Sequence, residues 1–261
     1  MQDAMIERVV VDGAALELAR WPGQGPAVLL LHEGLGSVSA WGGFPARLAA
    51  ATGRPVIAWS RRGHGGSDPL AGAHAPDYMH REAEAALRLL DSLGLPAAHW
   101  FGHSDGASIA LIAAARAPAR VLSLILEAPH VFVEDLTIAS IARIGAAYAA
   151  GGDLPRRLAR HHRDAGAVFQ AWNSIWLDPA FRAWSIEALL PGVRAPALLI
   201  QGADDEYGTM AQLDRIEAGL GGAQRLELAG AGHAPHRDRP GDVLAAVCAF
   251  LAAARTGIDK A

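Results

Sequence analysis

The sequence lacks the features on which several classes of protein depend. Cysteine occurs once in 261 residues, at Cys248, so neither an intrachain disulfide nor a cysteine metal cluster is expected. The formal net charge is only −4, and no basic run exceeds the pairs Arg61-Arg62 and Arg156-Arg157, which argues against a nucleic-acid partner. No apolar run approaches the roughly 20 residues of a membrane-spanning helix or resembles a signal core. We therefore expect a cytoplasmic protein that contacts no membrane.

Hydrophobic residues are plentiful, at 51% of the chain, which is enough to bury a substantial core. Short β-like runs alternate with helical patterns from Val28 to Glu127, and again from Ala197 to the end. This alternation predicts an α/β fold with a mostly parallel central sheet and helices on both faces. The turn pair Asp12-Gly13 lies between two apolar runs, so the first strands are expected to form an antiparallel hairpin.

The alternation stops between Pro129 and Pro191, where the pattern is helical only. We predict that residues 130–190 form a helical cap inserted after the sixth core strand. Residues 1–129 and 191–261 would then form the core domain.

The most informative motif places a serine between two glycines, in Gly102-His103-Ser104-Asp105-Gly106. A short apolar run precedes this motif and an alanine-rich helical pattern follows it, so Ser104 is expected on a tight strand-to-helix turn. Such a turn holds its central residue at positive φ and leaves no room for a Cβ atom two residues away on either side. The turn exposes the hydroxyl and aims backbone N–H groups of the helix N-terminus at any negative charge that develops nearby.

Two further motifs follow downstream. An apolar run ends in Gln201-Gly202-Ala203-Asp204-Asp205, and Gly230-Ala231-Gly232-His233 comes later. A serine hydroxyl needs a neutral imidazole to take its proton, and the imidazole needs a carboxylate to orient it. Ser, then Asp, then His is the chain order of the α/β-hydrolase triad.

These motifs and two upstream segments resemble the α/β-hydrolase fold family over nearly the whole chain. Residues 28–36 resemble the family's strand and oxyanion loop, from which Glu33 departs because the loop usually begins His-Gly. Residues 60–67 resemble the family's Asp-x-Arg-Gly-x-Gly-x-Ser turn, with Ser60 where aspartate is common. The resemblance implies an α/β-hydrolase fold whose inserted cap covers the site, and a triad of Ser104, Asp205 and His233.

The choice of the acid rests on spacing. The family's acid usually lies three residues after the glycine that ends the strand, here Gly202, which favours Asp205 over Asp204. Glu127 is a rival, because it closes the preceding strand and some hydrolases take their acid from that place.

The oxyanion hole is expected to use the backbone N–H groups of Gly34 and Asp105. A carboxylate that pointed into the hole would oppose an oxyanion. The side chains of Glu33 and Asp105 are therefore expected to turn outward, away from the hole. Glu33 would then bond its own loop or a nearby arginine, for which Arg61 and Arg62 are the candidates.

Candidates for the substrate pocket come from the loops and the cap. His130 follows a strand at the carboxyl edge of the sheet, where ligands bind in open α/β folds. Trp172 and Trp176 are four residues apart and share a helix face, so they either anchor the cap to the core or wall an apolar acyl or aryl pocket. The candidate pocket residues are Glu33, Trp41, His130, Phe132, Phe169, Trp172 and Trp176.

Hydrolysis of a small to medium acyl or aromatic ester, or of a thioester, needs only the groups named above. The first alternative is hydrolysis of a C–C bond in a vinylogous diketone. Relatives that cleave such ring-cleavage products use the same triad and a helical cap, although usually with a longer glycine-rich loop than residues 32–36. The second alternative is a small-molecule receptor built on the same fold.

No cofactor and no metal are expected for this chemistry. The expected partner is a small-molecule substrate, and an apolar patch on the cap would support a homodimer.

Overall fold

The computed structural model describes residues 4–70 and 72–258. Within these residues eight strands form one sheet. The strands are β1 (Met5–Val11), β2 (Ala14–Trp21), β3 (Val28–Leu31), β4 (Val56–Trp59), β5 (Ala98–His103), β6 (Val121–Glu127), β7 (Ala197–Gly202) and β8 (Gln224–Leu228). Their order across the sheet is β1-β2-β4-β3-β5-β6-β7-β8. Strand β2 runs antiparallel to both of its neighbours, and β3 to β8 run parallel. The predicted mostly parallel sheet and the N-terminal hairpin are therefore confirmed.

Helices cover both faces of the sheet. The helices are α1 (Phe44–Thr52), α2 (Tyr78–Ser92), α3 (Asp105–Arg116), α4 (Asp135–Ala149), α5 (Asp153–Leu158), α6 (Ala165–Leu177), α7 (Ala211–Leu220), α8 (Pro235–Asp238) and α9 (Pro240–Ile258). Short 3₁₀ helices lie at Ser39–Trp41, Pro118–Arg120, Pro179–Ala183 and Glu187–Gly192.

The hydrophobic core has two parts, one on each face of the sheet. In β3, Leu29 and Leu31 pack with residues of α2 and α3, whereas Val28 and Leu30 pack with residues of α1 and α9. Because successive side chains of a strand point to opposite faces, a strand covered on both sides is apolar throughout. This burial explains why β3 has no polar residue.

The helices between β6 and β7 lie beside the carboxyl edge of the sheet. His162, which follows α5, joins this segment to two core loops: the Gly65 N–H donates to His162 Nδ1, and His162 Nε2 donates to the Leu35 carbonyl, each at 3.0 Å. In α4, the Ser140 and Thr137 hydroxyls donate to the backbone carbonyls of Glu206 and Tyr207. These bonds hold the inserted helices above the loops that follow β3, β4 and β7.

Among the helices of the described residues, none combines the length and the apolar character that crossing a bilayer requires.

Candidate active site

Ser104 lies on the turn between β5 and α3, with φ 54° and ψ −119°. Its backbone N–H donates to the Glu127 carbonyl at 2.9 Å, which fixes the turn against β6. The flanking glycines are required by close backbone contacts. A Cβ atom on Gly102 would lie 2.3 Å from the Gly106 carbonyl oxygen, and one on Gly106 would lie 2.1 Å from the Leu31 carbonyl oxygen.

Gly106→Ala is expected to lower the free energy of unfolding by at least about 3 kcal/mol, because the new methyl group meets rigid backbone of β3. Urea denaturation measures the effect. Gly241→Ala is the matched control: Gly241 lies in α9 with no atom within 4 Å of the added Cβ, so the stability of this variant should equal or slightly exceed that of the wild type. Equal stability of the two variants would contradict the described turn.

His233 is oriented by Asp205. Its Nδ1 donates to Asp205 Oδ1 at 2.8 Å and lies 3.0 Å from Oδ2. The same carboxylate accepts from the Tyr207 N–H at 2.8 Å and from Gln201 Nε2 at 2.6 Å. Because Nδ1 carries the proton, Nε2 of a neutral His233 is free to accept one.

The electrostatics of this pair favour a carboxylate beside a basic imidazole. Burial raises the pKa of Asp205, but His233 and the hydrogen bonds from His233 and Tyr207 outweigh burial, so the pKa is lowered. Burial lowers the pKa of His233, but the charge and hydrogen bond of Asp205 outweigh burial, so the pKa is raised. The two shifts share one cause, which is stabilisation of an imidazolium by the carboxylate.

The rival acids lie elsewhere. Glu127 is fully buried and accepts hydrogen bonds from the backbone N–H and from Nδ1 of His236, the latter at 2.8 Å. Asp204 is exposed at the turn after β7. Asp205 is therefore the carboxylate that the structure brings to His233 Nδ1.

Within the described residues, one group of side chains has the composition of a metal site. The group consists of His103, Glu127 and His236, whose ligand atoms lie within 4.8 Å of one another. Both Glu127 oxygens already accept hydrogen bonds from His236, and His103 Nε2 donates to the His233 carbonyl at 2.7 Å. Hydrogen bonding accounts for the cluster, which supports the loop that carries His233.

Ser104 and His233 line the same cavity, of about 430 Å³. Gly34 lines it too and packs directly against α6, since an added Cβ would lie 2.2 Å from Trp172 Cδ1. Among the described residues, no protein acceptor takes the backbone N–H of Gly34 or that of Asp105. Two N–H donors are thus left free beside the Ser104 turn.

The two carboxylates next to these donors, Asp105 and Glu33, have other partners than the sequence analysis predicts. Asp105 turns into the protein, where the Tyr78 hydroxyl donates to Oδ2 at 2.8 Å and Arg61 lies 3.9 Å away. Burial raises the pKa of Asp105, although Arg61 and Tyr78 oppose the shift. The prediction that the Asp105 side chain points outward is wrong. The turn that carries Ser104 lies against α2, where the Tyr78 hydroxyl offers Asp105 a hydrogen-bond donor.

Glu33 has a different partner from the two predicted. Its carboxylate lies 3.9 Å from Arg237, whereas Arg61 donates to the Glu33 backbone carbonyl and Arg62 donates to the Pro69 carbonyl. The prediction of Arg61 or Arg62 is corrected to Arg237, which the chain brings back in α8. Glu33 itself lines the cavity.

Four of the predicted pocket residues line the cavity: Glu33, His130, Trp172 and Trp176. The His130 ring lies edge-on to Trp176, with 5.4 Å between ring centroids, and 5.9 Å from the His233 ring. Burial lowers the pKa of His130 to about 4, so this imidazole is neutral at neutral pH. Its Nδ1 is buried and has no hydrogen-bond partner among the described residues.

The other aromatic candidates lie outside the cavity, which corrects those predictions. Trp41 packs into the core against Phe44, Phe101 and His236. Phe132 bridges to Ser185 and lies under Arg215. Phe169 of α6 stacks on Tyr148 of α4, with 3.7 Å between ring centroids.

The cavity wall also contains residues that the sequence analysis did not select. They are Leu35, Ala40, Thr137, Ile141, Leu154, Arg157, Leu158, His161, Glu206, Tyr207, Ala234, Arg237 and Asp238. Three of them, Leu154, Arg157 and Leu158, lie on α5 at positions i, i+3 and i+4, and this spacing was the available signal for a helix face turned to the site.

The sequence model of the alpha/beta hydrolase fold matches residues 26–172. Serine hydrolase BPHL of Homo sapiens is 27% identical over 232 residues, which cover 85% of this chain and 77% of that protein. RutD of Caulobacter segnis, named for carbamate hydrolysis, is 34% identical over 119 residues, 44% of this chain. The alignment spans 43% of that protein, which is less than half its length.

A solved structure with a similar fold is the enol-lactonase from Burkholderia xenovorans. The two chains are 23% identical with a TM-score of 0.76, and the match covers 94% of this chain and 100% of the enol-lactonase. At this identity the likeness extends to the fold alone.

Proposed function

Because the chain belongs to the alpha/beta hydrolase family, whose sequence model matches residues 26–172, we propose that it is a serine hydrolase of small to medium acyl or aromatic esters. The observation that carries the proposal is the hydrogen bond from His233 Nδ1 to Asp205, at 2.8 Å, beside a cavity that Ser104 also lines. A nucleophile, a base and an orienting acid are the groups that acyl transfer requires.

In the proposed reaction, Ser104 Oγ attacks the ester carbonyl carbon while His233 Nε2 takes the hydroxyl proton. The carbonyl oxygen becomes an oxyanion and accepts hydrogen bonds from the N–H groups of Gly34 and Asp105. The C–O bond to the leaving group then breaks, and the imidazolium returns its proton to the departing alcohol. Water, deprotonated by the same imidazole, attacks the acyl-enzyme and releases the acid and free Ser104.

The cavity supports the choice of substrate class. Its volume of about 430 Å³ is in the range of pockets for small molecules. Trp172 and Trp176 present ring surface to it, and Leu158 and Ile141 present aliphatic surface. An apolar acyl chain or an aryl group can therefore exchange water for carbon contacts on binding.

Turnover of p-nitrophenyl esters from acetate to octanoate, of an acyl-CoA and of a vinylogous diketone tests the proposal. We expect ester hydrolysis with an optimum chain length set by the cavity. Turnover of the diketone without turnover of any ester would replace ester hydrolysis with the C–C reaction. The same low rate on every substrate in wild type and Ser104→Ala would favour the receptor interpretation.

The pH dependence of kcat/KM is a further prediction. Protonated His233 cannot accept the Ser104 proton, so activity is lost as the pH falls through the His233 pKa. That pKa is raised above the ordinary value of 6.5, and the loss should therefore begin at a higher pH than for an unperturbed histidine. His103 and His130, with pKa values of about 3 and about 4, do not titrate in this window. A rate that stays flat from pH 8 to about pH 5 would contradict the role of His233.

A further inference from the structure

One wall of the cavity has no part in the proposed acyl transfer. It is formed by α5 and the turn after it, together with α8, and its basic side chains are Arg157, His161 and Arg237, beside the acidic Asp238 of α8. We call these three residues the basic wall. The His161 Nδ1 atom lies 2.9 Å from the Ser39 hydroxyl, and Arg237 donates to the Ala40 carbonyl at 2.9 Å. The basic wall is thus attached to the loop after β3.

Helical spacing turns Arg157 toward the cavity. Leu154, Arg157 and Leu158 follow each other at intervals of three and one, so they share one face of α5. All three line the cavity. Arg157 is exposed, so its guanidinium stays in contact with water while the side chain lines the cavity.

The adjacent Arg156 behaves differently. Both arginines are exposed, but Arg156 ion-pairs with Asp153 at 2.5 Å within α5 and does not line the cavity. Arg157, in contrast, has no ion pair with any of the described residues.

The acidic side chains of the cavity all have protein partners. Glu33 faces Arg237, Asp105 accepts from Tyr78, and Asp238 accepts from the Gly232 N–H at 2.9 Å. Glu206 accepts from the His233 N–H at 3.3 Å. Two arginines line the cavity among the described residues, and Arg157 is the one of them without an ion pair, since Arg237 faces Glu33.

We propose that the basic wall is a carboxylate subsite: the substrate carries a carboxylate away from the scissile ester bond, and Arg157 binds it. This inference rests on the proposed function. A guanidinium offers two parallel N–H donors, which match the two oxygens of a carboxylate. His161 and Arg237 flank the subsite; His161 adds a donor, and Arg237 adds a second guanidinium that also faces Glu33 at 3.9 Å.

The test compares anionic esters with neutral esters of similar shape. For a carboxylate on the acyl side, the pair is 4-nitrophenyl hydrogen adipate and 4-nitrophenyl 6-methylheptanoate. For a carboxylate on the leaving group, the pair is 4-carboxyphenyl butyrate and its methyl ester. Wild type should prefer the anionic member of one pair by about tenfold in kcat/KM, chiefly through KM. The pair that shows the preference identifies the side of the ester bond.

Arg157→Gln should abolish this preference and leave the neutral ester unchanged, whereas the control Arg156→Gln should keep it. The preference should also fall as ionic strength rises, since the subsite is partly open to solvent. A wild type that favours neither anionic ester, or an Arg157→Gln variant that retains the preference, would overturn the subsite. Ester hydrolysis dependent on Ser104 would still stand in that case.

Calorimetric binding of adipate tests the subsite without turnover. Wild type and Arg156→Gln should bind adipate, and Arg157→Gln should bind it about tenfold more weakly. If no ester is hydrolysed but this difference is measured, the proposed function fails and the subsite remains. Equal adipate affinity of all three proteins, or no binding by any of them, overturns the subsite.

Discussion

Replacing Ser104 by alanine lowers kcat for p-nitrophenyl ester hydrolysis by about 10⁴- to 10⁶-fold and changes KM little. The hydroxyl is the atom that forms the covalent bond, so no other group in the cavity can complete acyl transfer once it is gone. Substrate still binds, because the walls of the cavity are unchanged. Steady-state kinetics with purified wild type and Ser104→Ala measure the effect, and matching thermal unfolding curves show that the fold is retained.

Residual activity within about tenfold of wild type would contradict this expectation, because loss of a triad nucleophile has a far larger effect. The active nucleophile would then lie elsewhere. Water activated directly by His233 would be the first mechanism to examine.

Replacing Asp205 by asparagine lowers kcat by about 10⁴-fold. The amide can donate to Nδ1 and so favours the wrong tautomer, which leaves Nε2 protonated and unable to accept the Ser104 proton. The imidazolium formed during attack also loses its neighbouring negative charge. The predicted signature is a loss in kcat together with a fall of the His233 pKa toward or below its ordinary value, which NMR titration of the imidazole measures.

Asp204→Asn is the matched control, because Asp204 is the preceding residue and is exposed. Its kcat should stay within about twofold of wild type, as is usual for a surface change outside the reacting groups. Glu127→Gln tests the other rival: it should lower stability, since His236 loses a buried partner, and spare kcat at temperatures where the variant is folded. A larger loss of kcat in either variant than in Asp205→Asn would assign the acid role to that residue.

Local rules account for most of what the sequence predicts correctly. The positive φ of Ser104 and the flanking glycines follow from a strand and a helix that meet at one turn. The parallel sheet follows from the alternation of short apolar runs with helical patterns. These signals lie within a few residues of the features that they predict.

The failures concern contacts between distant parts of the chain. The partner of Glu33 is Arg237, about 200 residues downstream. The predicted partners, Arg61 and Arg62, instead donate hydrogen bonds to backbone carbonyls. Aromatic character alone does not say which way a ring points. Trp41 and Phe132 are both aromatic residues in segments beside the site, yet one packs into the core and the other lies near Arg215.

The basic wall is only partly predictable from the sequence. The spacing of Leu154, Arg157 and Leu158 indicates one helix face, but only the fold reveals that this face lines the cavity that Ser104 also lines. The charge of Arg157 is visible in the sequence. Its lack of a partner depends on the positions of all the neighbouring carboxylates.

The central claim is that Ser104 forms a covalent acyl-enzyme, and its most direct test is labelling with diethyl p-nitrophenyl phosphate. The reagent should release about one nitrophenolate per chain, as expected for a single activated nucleophile. Peptide mapping by mass spectrometry should place the diethylphosphoryl group on Ser104, and Ser104→Ala should remain unlabelled. Persistent ester hydrolysis without labelling, or a label on another residue that also forms in Ser104→Ala, would contradict the account.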